Sequence, residues 1–138
     1  MPPILLDTGV LVGWLDRRDP YHSRCVASLD RIRPPLVTCE AVLVECSILL
    51  RNIPGAIDSL LANLTAETFQ LPFRLSESAE PVRAILRKYA DTPADFADAC
   101  LIQMADELGT GDILTLDSDF RQYRWRRNRR FNLLIPLD

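Results

Sequence analysis

The sequence predicts an α/β domain: a three-layer α/β/α sandwich around a mainly parallel central sheet. Three observations carry that expectation. Short runs such as Ile4-Leu5-Leu6, Leu36-Val37-Thr38 and Leu133-Leu134-Ile135 are apolar without alternation, as strands covered on both faces require. Longer segments with helical spacing lie between them, so strand and helix alternate as in βαβ units. A chain of 138 residues, 48 % hydrophobic and 25 % charged, can bury one core. No repeat, low-complexity tract or linker divides it, so residues 1–138 read as a single domain.

In chain order, Ile4-Leu5-Leu6 reads as a buried strand ending at Asp7. A turn at Thr8-Gly9 and a helix beginning at Val10-Leu11-Val12 follow. Residues 21–32 have helical spacing, with Cys25, Val26, Leu29 and Ile32 inward, until Pro34-Pro35 stops them. Leu36-Val37-Thr38 is the second strand, and Thr38 caps a helix over 39–50. Ile53-Pro54-Gly55 breaks the chain before a helix over 56–64. Residues 68–71 suggest a third strand and 76–90 a helix, with Glu77 and Glu80 near its start and Arg87 and Lys88 near its end, as the helix dipole favours. The next helix has Thr92 as N-cap, Pro93 at the first position, Asp95 completing a capping box, and Gly109 as its stop. Residues 112–116 form a fourth strand and 133–135 the last, ended by Pro136.

Composition excludes several function classes. No apolar run is long enough for a membrane span. The N-terminus lacks the basic region of a signal peptide, which places the chain in the cytoplasm. Cys25, Cys39, Cys46 and Cys100 form no Cys-x-x-Cys pair and read as buried thiols; with His22 the only histidine, a structural zinc site is not expected. The net charge of −3 hides an asymmetry: residues 1–120 hold 10 basic and 18 acidic side chains, giving −8, and residues 121–138 hold six arginines and one aspartate, giving +5.

Two carboxylates break the apolar pattern. Asp98 falls on one helical face with Ala94, Leu101, Ile102, Ala105 and Leu108, and Glu45 falls among Ala41, Val42, Ile48 and Leu49. A carboxylate on a core-facing stripe is costly unless something pairs with it. Asp7 and Asp117 stand at the C-terminal ends of strands, where open α/β sheets place their ligand crevice. Four converging acids must take up protons, pair with arginine or bind a cation. Oxygen ligation without histidine or cysteine suits Mg2+ or Mn2+, and the chemistry that fits is phosphodiester hydrolysis. The basic counterpart is Arg121, Arg124, Arg126, Arg127, Arg129 and Arg130, whose guanidinium forks match phosphates; Tyr123 or Trp125 is expected to stack on a base.

Four pieces in register resemble PIN-domain ribonucleases: Leu5-Leu6-Asp7-Thr8, Glu45 within Glu40-Ala41-Val42-Leu43-Val44-Glu45, Pro93-Ala94-Asp95-Phe96-Ala97-Asp98-Ala99, and Thr115-Leu116-Asp117-Ser118-Asp119-Phe120. The branch they resemble is the VapC-type toxins of toxin–antitoxin pairs. The resemblance implies an Mg2+- or Mn2+-dependent endoribonuclease, a homodimer with a cognate antitoxin. It assigns the four acids to Asp7, Glu45, Asp98 and Asp117, with Asp7 and Asp98 the principal metal ligands and Asp119 a further acid. Thr8 and Thr115 match hydroxyls that support the acids. The density of arginine after Phe120 departs from the family pattern. Two rival readings exist. A phosphatase of the haloacid dehalogenase type needs an aspartate where Gly9 stands, and a non-catalytic RNA-binding protein would use the 121–130 segment and keep the acids for structure.

Overall fold

The computed structural model describes residues 2–92 and 94–137. Its centre is a four-stranded sheet built from β1 (Ile4–Leu6), β2 (Leu36–Val37), β3 (Asp112–Leu114) and β6 (Asn132–Leu133), in the order β2-β1-β3-β6. All three strand pairings are parallel, with Leu5 opposite both Val37 and Ile113. The central strands are covered on both faces, and Leu5, Leu6, Ile113 and Leu114 are almost wholly inaccessible. Helices flank the sheet: α1 (Thr8–Leu15), α2 (His22–Arg31), α3 (Glu40–Leu49), α4 (Ala56–Thr65), α5 (Leu75–Lys88) and α6 (Phe96–Leu108). The three-layer α/β/α expectation holds.

Parallel strands bring their carboxyl ends to one edge, and this positions the site. No turn separates β1 from its helix. Asp7 itself is the N-cap of α1, so Thr8 and Gly9 are already helical. The Asp7 amide donates to the Leu114 carbonyl at 3.0 Å, which fixes the end of β1 against the end of β3. Thr38 does not cap the following helix. Its hydroxyl donates to the Leu6 carbonyl at 2.7 Å, and α3 starts after Cys39 without a side-chain cap. Residues 68–71 form no strand; only Gln70 bridges to Val37, because the segment meets the sheet at a single point.

The α6 helix begins later than the sequence suggests. Its N-cap is Asp95, in extended geometry, and the capping box pairs Asp95 with Asp98. Thr92 lies in a turn, and Pro93 is outside the described residues. A carboxylate at Asp95 can exchange hydrogen bonds with the third helical residue, and that reciprocal pair outcompetes a hydroxyl placed earlier. From Ala97 to Ala105 every residue of α6 is buried, so it is a core helix rather than a one-sided one. Gln103 and Ser78 both donate to the Glu107 carboxylate, tying α6 to α5.

The arginine-rich segment is ordered structure. A short 3-10 turn over Ser118–Arg121 leads into a hairpin of β4 (Arg124–Trp125) and β5 (Arg129–Arg130). All four cysteines are buried and unpaired. Among the described residues, no helix is long and apolar enough to cross a membrane.

Candidate active site

Asp7, Glu45, Asp98 and Asp117, with Thr8, Gly9, Asp95 and Leu116, wall one open cleft of about 280 Å3 at the carboxyl edge of the sheet. Four segments far apart in sequence thus deliver their acids to one place. Size alone would favour a hollow of about 540 Å3 lined by Arg24, Ala27, Ser28, Arg31, Ile135 and Pro136, but none of the convergent acids lines it.

Asp7 is the centre of the group and only 6 % exposed. One carboxylate oxygen accepts the Thr8 amide at 2.8 Å and the other accepts the Thr115 hydroxyl at 2.6 Å. The same Thr115 oxygen accepts the Asp117 amide at 3.0 Å, so one hydroxyl positions both acids. The Asp117 carboxylate in turn accepts the Asp119 amide at 2.9 Å, as in an Asx turn. Glu45 accepts the Thr8 hydroxyl at 2.7 Å. Thr8 and Thr115 thus each donate a hydroxyl hydrogen bond to one of the acids.

Asp98, 7 % exposed, projects from the first turn of α6. It accepts the Tyr123 hydroxyl at 3.1 Å. Tyr123 was missed as a site residue: within an arginine run it suggested base stacking, yet its side chain is fully buried against Tyr89 and Phe120. The signal that would have found it is the spacing of Phe120 and Tyr123 after Asp117, which places both rings on the inner side of a short turn. Trp125 is not free to stack on a base either. It is buried over Gly111 and donates its indole N–H to the Arg130 carbonyl.

One further placement corrects the sequence reading. Ile48 and Leu49, expected beside Glu45 in a buried stripe, are 54 % and 60 % exposed. The buried side of α3 is Val42 and Cys46, and Glu45 is half-buried at the cleft wall. His22 is held by the Gly13 carbonyl and lines none of the cleft. Asp119 stands beside Asp117 without lining the cleft.

Burial and mutual repulsion push these carboxyls up. Desolvation raises Asp7 to about 6, with Thr115 and Thr8 opposing and Asp117 and Glu45 adding. Desolvation raises Asp98 to about 7, reinforced by Asp95 and then Asp7. Glu45 is raised by burial and by the neighbouring Asp95. No lysine or arginine pairs with any of these acids among the described residues, so the arginine alternative for Asp98 and Glu45 does not apply. Protons or a cation must supply the missing positive charge.

The donor set fits a hard divalent cation: carboxylates and hydroxyls, without histidine, in an open cleft. Among the described residues no three acidic, histidine or cysteine side chains close into a cage around one point. A divalent cation held by one or two of these carboxylates would keep waters in its remaining positions.

The PIN domain model matches residues 4–126. The chain is 29 % identical to Ribonuclease VapC26 of Mycobacterium tuberculosis over 137 residues, covering 97 % of this chain and 93 % of that protein. Its fold is similar to the crystal structure of M. tuberculosis VapC20, described as a sarcin-ricin loop cleaving toxin. The TM-score is 0.77 at 19 % identity, over 84 % of this chain and 91 % of that one. The strand order, the acid cleft at the carboxyl edge and the match over nearly the whole sequence converge on one conclusion: the chain belongs to the PIN-domain family.

Proposed function

We propose that the acid cleft is the active site of a divalent-metal-dependent endoribonuclease, and that the chain is the toxin of a toxin–antitoxin pair. The observation that carries the metal-dependent reading is the pairing of buried Asp7 and Asp98 in one cleft without a cationic side chain. The likeness to Ribonuclease VapC26 supports RNA as the substrate and supports an antitoxin as partner. Exposed Val44, Ile48 and Leu49 on α3, with Phe96 nearby on α6, support a protein contact such as a homodimer.

Asp7 and Asp98 would hold Mg2+ or Mn2+, with Glu45 and Asp117 completing the site directly or through water. Bound there, the cation supplies Lewis-acid polarisation of the scissile phosphate and a more acidic water. The chain's own residues do the rest. Thr115 holds Asp7 and Asp117 in register, and its hydrogen bond to Asp7 favours the ionised carboxylate. Thr8 fixes the rotamer of Glu45, whose raised affinity for protons suits it to accept one from an attacking water. Tyr123 does for Asp98 what Thr115 does for Asp7.

The test is cleavage of a labelled RNA with Mg2+ or Mn2+, with EDTA, and by Asp98→Asn and Glu45→Gln. Wild type should cut only with metal, and each variant should lose at least about a hundredfold in rate. Cleavage in EDTA, or full activity in both variants, would remove the acids from the chemistry. A protein that binds RNA without cutting it under any metal condition would establish the non-catalytic alternative.

A further inference from the structure

We propose that the β4–β5 hairpin is a second RNA-phosphate contact surface, separate from the acid cleft. Arg127 and Arg130 carry it, and it holds an extended RNA some nucleotides away from the bond that is cut. The substrate class rests on the ribonuclease reading above; the surface itself rests on the observations that follow.

The first is position. The sequence suggests one basic strip beside the acids, but the hairpin sits at the other end of α6. The Arg126 amide donates to the Asp106 carboxylate, its guanidinium Nε donates to the Asp106 carbonyl at 3.2 Å, and Trp125 covers Gly111 at the entry to β3. Asp98 and Asp106 are eight residues apart on one helix, or roughly 12 Å along its axis at 1.5 Å per residue. The acids meanwhile lie at the exit edge of the sheet, past Leu114.

The second is which charges are committed. Arg121 reaches the Leu137 carbonyl, Arg124 donates to the carbonyls of Arg121 and Tyr123, Arg126 holds Asp106, and Arg129 lies over the Trp125 ring at 5.3 Å. Arg127 and Arg130 are exposed, and among the described residues neither guanidinium has a partner. Residues 121–130 contain six arginines and no acid. Strand register sets Arg130 directly opposite Arg124, where like charges destabilise a pair.

The third is backbone strain. Arg126 and Arg127 occupy the left-handed region, with φ of 40° and 71°. Hairpin turns of this kind favour glycine or asparagine there, and Asn128 stands one position too late to relieve it. Packing needs Trp125 and one arginine for Asp106; it does not need arginines at the tip. Unpaired like charges on a strained turn are unfavourable for folding, and phosphates would offset them.

The test is binding in EDTA, where RNA stays intact and the acid cleft has no cation to hold phosphate, of a fluorescein-labelled RNA of about 12 nucleotides to wild type and to Arg127→Gln/Arg130→Gln. The variant should bind at least about tenfold more weakly than wild type. Its log–log salt slope should be shallower by about 1.4, two phosphates at about 0.7 each on a single strand. An unchanged unfolding midpoint would confirm that the variant is folded. A variant that keeps the wild-type affinity and slope overturns the proposal. Failure of the nuclease reading registers elsewhere, as RNA left intact in the presence of metal.

Discussion

At the scale of single residues, the acids were legible because each violates a local rule. Asp98 interrupts an apolar helical face, and no surface explanation accommodates it. Asp7 follows a strand buried on both faces. Glu45 was legible for a partly mistaken reason, since Ile48 and Leu49 face solvent and the stripe around it is not a core stripe. Tyr123 was not legible, because a tyrosine flanked by arginines gives the same pattern whether it stacks on a base or packs inward. The raised carboxyls have a thermodynamic consequence with a definite sign. A raised pKa means that the folded chain holds protons the unfolded chain has released, so the stabilisation is complete below the ordinary aspartate value of 3.8. It is lost as pH rises through about 6 for Asp7 and about 7 for Asp98. Urea unfolding of the metal-free protein should therefore show stability falling by on the order of 4 kcal/mol between about pH 5 and about pH 8. Asp98→Asn should flatten that fall; a wild-type profile that is level or rising would contradict the burial argument. Tyr123→Phe removes the hydrogen bond that favours ionised Asp98. Cleavage should drop about tenfold near neutral pH and recover in part at more alkaline pH, as Asp98 ionises unaided. A loss of equal size at every pH would assign Tyr123 a packing role alone.

At the scale of elements, strands and helices were legible from apolar runs and helical spacing, and the least accurate feature was where each begins. Caps decide this, and several side chains compete for each one. Asp95 took the α6 cap from Thr92 because Asp98 reciprocates its hydrogen bond. Thr38, a good cap by type, satisfies the Leu6 carbonyl instead. At about pH 5, Asp95→Ala should cost roughly 1 kcal/mol of stability and Thr92→Ala almost nothing. Equal effects would restore the earlier helix start. Gly111 was not singled out in the sequence, yet a Cβ there would stand 2.1 Å from the Trp125 indole nitrogen. Gly111→Ala should displace the hairpin and cost about 1–3 kcal/mol. Thermal unfolding together with Trp fluorescence would register both effects.

At the scale of the whole molecule, the parallel sheet explains why four remote acids meet, and charge explains what they need. Parallel strands share one carboxyl edge, so Asp7 and Asp117 arrive there from opposite ends of the chain. The sequence showed that acidic and basic halves exist but not how they are arranged. Only packing reveals that the hairpin closes the far end of α6, because Asp106 and Gly111 are unremarkable until Arg126 and Trp125 meet them. Filling the acid cleft should stabilise the fold by mass action, by about 2.7 kcal/mol at a hundredfold excess over the dissociation constant. The central claim is that these carboxylates share a divalent cation, and Mn2+ binding followed by calorimetry at about pH 6.5 tests it most directly. Wild type should bind and release protons, since Asp7 and Asp98 titrate at about 6 and about 7, and Asp7→Asn and Asp98→Asn should each weaken binding at least about tenfold. Absence of binding, or binding unchanged in both variants, would contradict it.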